Sequence, residues 1–221
     1  MLNNFLFLIS TLLVVLFGVF TLKLGKNALI AWIALLGVLA NLFVLKQIQL
    51  FGLNATASDV YAVGSLLGLN ILREQYDLKT CRHAILVSFV CLIFFCLMGQ
   101  VHLLYVPSAY DSTQLAYQTL LDPNVRIIVA SITVFFSVQL FDVYFYSLVL
   151  KRFMKALWMR NTISLIVSQL IDTILFSFLG LYGIVDNIGE IIVVSYCIKL
   201  LAIFCMVPAT SFSKSWFKAV T

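Results

Sequence analysis

The chain has 221 residues, of which 63% are hydrophobic and only 10% charged, with a mean hydropathy of +1.10. Water-soluble domains run nearer half apolar and a quarter charged, so a soluble globular fold is excluded. The formal net charge of +5 does not point to nucleic acid, because the basic residues fall in short gaps between long apolar runs, as membrane topology requires.

A bilayer-crossing helix needs about 20 mostly apolar residues. In chain order the candidates are Leu2–Leu22, Ala28–Leu45, Ala55–Leu72, Ala84–Val106, Ile127–Leu150, Leu157–Leu181 and Ile188–Val207. They predict a single domain over residues 1–221. Its class is all-α: a polytopic membrane helix bundle with six to seven transmembrane segments, in contact with the lipid bilayer and with no nucleic-acid partner. The first run lacks the basic start and small-residue cleavage site of a signal peptide and reads as a retained helix. The third run is the weakest: it is short, carries Ser58, Asp59, Gly64 and Gly68, and follows Gly52. It reads as a full span or as a broken, re-entrant segment. Between the fourth and fifth runs, "SAYDSTQLAYQTLLDPN" predicts a short interfacial helix ended by Pro123, and His102 just before it reads as an interfacial residue. Cys81, Cys91, Cys96, Cys197 and Cys205 form no C-x-x-C pair and read as small buried apolar residues, not as metal ligands or disulfides.

The basic residues set an orientation. Lys23 and Lys26, then Arg73, Lys79 and Arg82, then Lys151, Arg152, Lys155 and Arg160, then Lys214 and Lys218 occupy alternate gaps, eleven of the 14 Lys and Arg. The other gaps hold Lys46 and Arg126 together with Asp111, Asp122, Asp186 and Glu190. This bias predicts the N-terminus outside and the C-terminus in the cytoplasm.

Asp59, Asp142, Asp172 and Lys199 remain, all inside predicted spans. Each ionised side chain costs about 2.5–3.5 kcal/mol at a helix centre, so these groups must pair, take up a proton or line a wet cavity. Gln139 with Asp142 and Gln169 with Asp172 repeat one Gln-x-x-Asp pair in consecutive spans, and residues three or four apart share a helix face. Asn161, Ser164, Ser168 and Asp172 continue one polar stripe, while Tyr146 and Phe176 stand four residues beyond the two carboxylates. With a rise of about 1.5 Å per residue, Gln139 and Gln169 fall at similar depth on antiparallel helices. The expectation is one central polar pocket built from Asp59, Gln139, Asp142, Ser168, Gln169, Asp172 and Lys199. Three carboxylates against one ammonium favour a cationic or donor-rich flat heterocycle, with a coupled proton or sodium ion as a further partner. No cofactor or metal is expected. Lys199 lacks the sequence surroundings of a retinal lysine, the carboxylates lack intramembrane-protease motifs, and no phosphate loop is present, so the reading is a transporter and not an enzyme.

Residues 55–76, "ATASDVYAVGSLLGLNILREQY", closely resemble the signature of the queuosine precursor transporters of the vitamin uptake transporter family, formerly domain of unknown function 165. "RNTISLIVSQLIDTILF" (160–176) and Lys199 before Pro208 are similar to later helices of that family, so the likeness covers about residues 30 to 210. The resemblance implies uptake of a 7-deazaguanine such as preQ0, preQ1 or queuine across a bacterial cell inner membrane, for salvage into tRNA queuosine. It implies roles for Ser58, Asp59, Glu74, Ser168, Gln169, Asp172 and Lys199. Asp77 stands where the family commonly has glycine, which bears on the geometry of that turn. The residues independently suit such a ligand, whose N–H edge a carboxylate accepts and whose carbonyl a Gln amide or Lys meets. The alternative is a substrate-binding subunit of an energy-coupling-factor vitamin transporter, but "LLVVLFGVF" (12–20) lacks the Ala-x-x-x-Ala contact face usual in its first helix. The preferred precursor, the coupling ion and a possible homo-oligomer are left open.

Overall fold

A computed structural model describes residues 2–121, 125–153, 156–183 and 187–212. The chain is a bundle of α1 (Leu2–Leu24), α2 (Lys26–Leu42), α3 (Asp59–Gln75), α4 (Leu78–Leu103), α5 (Gln114–Leu121), α6 (Val125–Arg152), α7 (Leu157–Phe176) and α8 (Ile188–Phe212). One hairpin, β1 (Gln47–Leu50) with β2 (Leu53–Thr56), interrupts the helices. Asp122, Pro123, Lys155, Asp186, Lys214 and Lys218 lie outside the described residues.

Five stretches are long and apolar enough to cross a membrane: Leu2–Leu24, Leu78–Leu103, Arg126–Arg152, Leu157–Leu181 and Ile188–Pro208. The apolar α2 is shorter, at 17 residues. Large side chains such as Leu12, Phe94, Leu97, Leu148 and Phe204 are exposed, the outward face expected where lipid is the solvent. Three of the cysteines, Cys91, Cys197 and Cys205, also lie on exposed faces and only Cys81 is fully buried, which corrects the reading of all five as interior residues.

α3 explains why the third run is weak in sequence. Twelve of its 17 residues are buried, including Val63, Leu66, Leu69 and Leu72. A helix wrapped by protein needs no continuous apolar surface, so it can carry Ser65 and Asn70. Gly64 and Gly68 admit its neighbours: a Cβ at Gly64 would meet Val14 of α1 at 2.5 Å, and one at Gly68 would meet Ile33 of α2 at 2.9 Å. The helix also starts later than the run predicts. Ala55 and Thr56 belong to β2, and the hairpin fills the space before Asp59. Its two-residue turn, Phe51–Gly52, has φ of 51° and 85°, the left-handed geometry that matches strand twist. Asn3 Nδ2 donates to the Gln49 carbonyl at 3.1 Å and Phe51 N–H donates to Asn4 Oδ1 at 3.0 Å, so the first turn of α1 holds the hairpin.

Asp77 starts α4. Its carboxylate accepts from Thr80 N–H at 2.9 Å, and its φ of −76° is ordinary for any residue, so the turn needs no glycine. Hydrogen bonds from Thr80 hold the Asp77 carboxyl below the usual carboxylate range. The predicted interfacial helix is α5, none of whose residues is buried. Gln100 Nε2 donates to the Leu121 carbonyl at 2.8 Å, and the His102 ring meets Tyr117 edge-on at 4.9 Å, fixing α5 to the end of α4. Beyond Phe176, α7 widens into a π-helical turn at Ser177–Leu181, a feature often found beside functional sites.

Candidate functional site

α7 inverts the pattern of a water-soluble helix. Asn161, Ser164 and Ser168 are fully buried and Gln169 is nearly so, whereas Leu170, Ile174 and Leu175 are exposed. In lipid this is the economical arrangement, because polar groups find partners only within the protein. The polar face packs against α6, α3 and α8 and distributes its groups over three levels.

The level at the hairpin end contains a cavity of about 110 Å³. One water needs roughly 10–15 Å³, so the space takes several waters or a small flat ring system. Its charged walls come from three places in the chain: Asp59, with Thr56 and Ser58, at the hairpin–α3 junction, Asp172 and Thr173 on α7, and Lys199 with Ser195 on α8; Asn41, Ser131 and Ser177 add neutral polar groups. The Phe135 and Phe176 rings supply apolar wall. Lys199 Nζ donates to Asp172 Oδ2 at 2.6 Å and to Thr173 Oγ1 at 3.0 Å. Ser195 Oγ reaches Asp59 Oδ1 at 3.5 Å, while Asp59 Oδ2 is buried with no hydrogen-bond partner. Two carboxylates therefore face one ammonium, and one carboxylate oxygen is left as an acceptor awaiting a donor. Such an arrangement binds N–H donors strongly, because burial makes an unmet acceptor costly.

The middle level does not reach that cavity. Gln139 Nε2 donates to Ser65 Oγ at 3.0 Å, and Ser65 Oγ is also within reach of the Ile33 carbonyl, which ties α6 to α3 and α2. Asp142 Oδ1 accepts from Ser164 Oγ at 2.7 Å and Ser168 Oγ at 2.6 Å, which ties α6 to α7. Gln139 Oε1, Asp142 Oδ2, Gln169 Oε1 and both side-chain polar atoms of Asn70 and of Asn161 are buried without partners.

At the far level Glu74 accepts a two-pronged ion pair from Arg160, Nε to Oε1 at 2.9 Å and Nη2 to Oε2 at 2.7 Å. Tyr146 OH adds a third hydrogen bond to Glu74 at 2.5 Å, and Arg160 Nη1 donates to the Phe153 carbonyl at 2.9 Å. The end of α3, the end of α6 and the start of α7 are thereby clamped together.

The structure brings Asp59, Asp172 and Lys199 around one cavity and sets Gln139, Asp142, Ser168 and Gln169 below it. Phe176 lies in the same wall as Asp172, as its spacing predicts, but Tyr146 serves Glu74 instead of Asp142. The reason is the partner on offer: Tyr146 stands a full turn beyond Asp142 on α6, where Glu74 accepts its hydroxyl. Sequence reading missed Thr56, Thr173 and Ser195 as wall residues, since isolated hydroxyls in apolar runs resemble helix-packing groups. The i, i+4 spacing of Ser195 and Lys199 was the available signal.

A family model described as "Putative vitamin uptake transporter" matches residues 56–213. A protein of Bacillus subtilis (strain 168) named "Probable queuosine precursor transporter" is 34% identical over 189 residues, covering 83% of this chain and 82% of that one. No solved structure gave a significant match.

Proposed function

Because the chain belongs to the vitamin uptake transporter family, we propose that it imports a queuosine precursor, a 7-deazaguanine such as preQ0, preQ1 or queuine, for salvage into tRNA. The observation that carries this reading is the cavity at the hairpin end, with its two carboxylates, single ammonium and aromatic walls. A 7-deazaguanine presents N1–H and an exocyclic amine side by side, which Asp59 with its unmet oxygen can accept. Asp172 and Lys199 offer an acceptor and a donor next to it for the remaining edge and the carbonyl, and Phe135 and Phe176 provide ring contacts. The surplus negative charge suits the protonated amine of preQ1 or queuine. Gln139, Asp142, Ser168 and Gln169 lie beyond the ligand in the next polar layer and do not line the cavity.

In this reading the protein lies in a bacterial inner membrane, hairpin and α5 outside, with the C-terminus in the cytoplasm. A cytoplasmic reporter fused after Thr221 is then active, and a periplasmic one is not. The deciding measurement for transport is uptake of a labelled 7-deazaguanine by the purified chain alone in liposomes. Accumulation above empty liposomes supports an autonomous transporter. Binding without uptake points instead to a subunit that needs partner ATPases.

A further inference from the structure

Among the described residues, Asp142 is the buried carboxyl group that neither the cavity nor the ion pairs use. It is fully enclosed, and no salt bridge of the described residues includes it. Two serine hydroxyls satisfy Oδ1, while Oδ2 has no partner. The ionisable groups around it are engaged elsewhere or bear no positive charge. On α3, Arg73 donates to Ser147 and Tyr76, and Glu74 is held by Arg160. On α7, Arg160 serves Glu74 and Asp172 serves Lys199. On α4, the buried Cys81 thiol bears no positive charge, Arg82 donates to Tyr144, and His83 is exposed. On α6 itself, Tyr146 serves Glu74, and Lys151 and Arg152 are exposed at the helix end.

A carboxylate without a counter-charge is too costly for this interior, where ionised Asp loses about 2.5–3.5 kcal/mol even on the mildest scale. A metal cation would need a shell of several oxygens at roughly 2–2.6 Å, and Asp142 does not line the cavity described above. A proton needs no space. Resting on the transport reading above, we infer that Asp142 binds the proton that drives uptake. In the sealed bundle it is the neutral acid, with the proton on Oδ2; when the α6–α7 seam opens toward the cytoplasm, the O–H bond breaks, the electron pair stays on Oδ2 and water receives the proton. Reprotonation from the outer side resets the site. The link to substrate is α7, because Ser168 holds Asp142 and lies one helical turn from Asp172, a wall residue of the cavity. The π-helical turn that follows contributes Ser177 and Leu181 to the same wall. A shift of α7 on ligand arrival therefore acts on the cavity and on the serines of Asp142 together.

The test uses the purified full chain in liposomes, with labelled preQ1 as probe. Two modes are compared: counterflow exchange without any gradient, and accumulation driven by an imposed pH gradient, outside acid. Wild type is expected to do both, with a substrate-evoked rise in external pH. Asp142→Asn is expected to keep counterflow and to lose gradient-driven accumulation to the level of empty liposomes. Asp142→Glu, which keeps a titratable group, should retain accumulation with a displaced pH profile, and it carries the test if the Asn variant does not fold. Accumulation by wild type under a sodium gradient and not under a pH gradient overturns the inference, as does unchanged pH-driven accumulation in Asp142→Asn. Either result with intact counterflow leaves the transport reading standing. Absence of counterflow in folded wild type overturns both.

Discussion

The two charged clusters at opposite ends of the bundle use similar parts to opposite effect. At the far end, Glu74 receives two bonds from Arg160 and one from Tyr146, and Arg160 spends a further donor on the Phe153 carbonyl. Each of these donors has an acceptor, and none of these residues lines the cavity at the hairpin end. At the hairpin end, among the described residues, Lys199 pairs with Asp172 alone, one Asp59 oxygen stays unmet, and about 110 Å³ of space stands beside them. Satisfaction marks the clamp, and an unmet acceptor beside open space marks the site. Burial alone would not separate them, since Arg160 and Lys199 are both 5% exposed.

The sharpest way to break this comparison is to neutralise one carboxylate of the cavity. Asp172→Asn should insert and fold yet abolish uptake, because it removes the negative charge that pairs with Lys199 Nζ at 2.6 Å and with it the electrostatics offered to the ligand. Transport at the wild-type rate in a well-expressed variant would remove Asp172 from the site. At the clamp the effect should fall on stability instead. Glu74→Ala leaves the Arg160 guanidinium buried without its carboxylate, and losing one partner of such a pair costs about 3–5 kcal/mol, read as a lower unfolding temperature in detergent. Replacing both partners with apolar residues should recover much of that loss, because no orphan charge remains.

The middle level tests where the site stops. Gln139 is hydrogen-bonded to Ser65 and does not line the cavity, so Gln139→Ala should destabilise by about 1–3 kcal/mol and leave ligand affinity intact, measured by unfolding and by binding titration. A matching fall in affinity would extend the site down to the amides. The smallest effect belongs to Asp77, outside the spans. Its carboxyl lies below the usual range, so its contribution is present at neutral pH and fades as pH falls through that lowered range. Asp77→Ala should be slightly less thermostable than wild type at neutral pH, and the gap should close in acid.

Much of this was legible in the residues. The run boundaries of α1, α6 and α7 follow directly from hydropathy, and the stripe from Asn161 to Asp172 is the buried face of α7. Two things were not legible. The hairpin was hidden because Gln47–Thr56 is too short and mixed to show a strand pattern between two apolar runs. The division of the polar residues between the cavity and the layer beyond it was hidden because rise per residue fixes depth, not which helix a side chain meets. The arithmetic sets Gln139 and Gln169 level, yet Gln139 spends its amide on α3.

The hairpin also carries a practical consequence. β2 runs through Thr56, and Ser58 and Asp59 follow it, so the strand is the mounting of one cavity wall. The other end of that mounting is fastened to Asn3 and Asn4 at the head of α1. Shortening or crowding the chain start would therefore loosen a binding surface that is more than 50 residues away in sequence. Affinity handles and fluorescent fusions belong at the C-terminal end, and an N-terminally tagged protein that fails to bind would say little about its ligand.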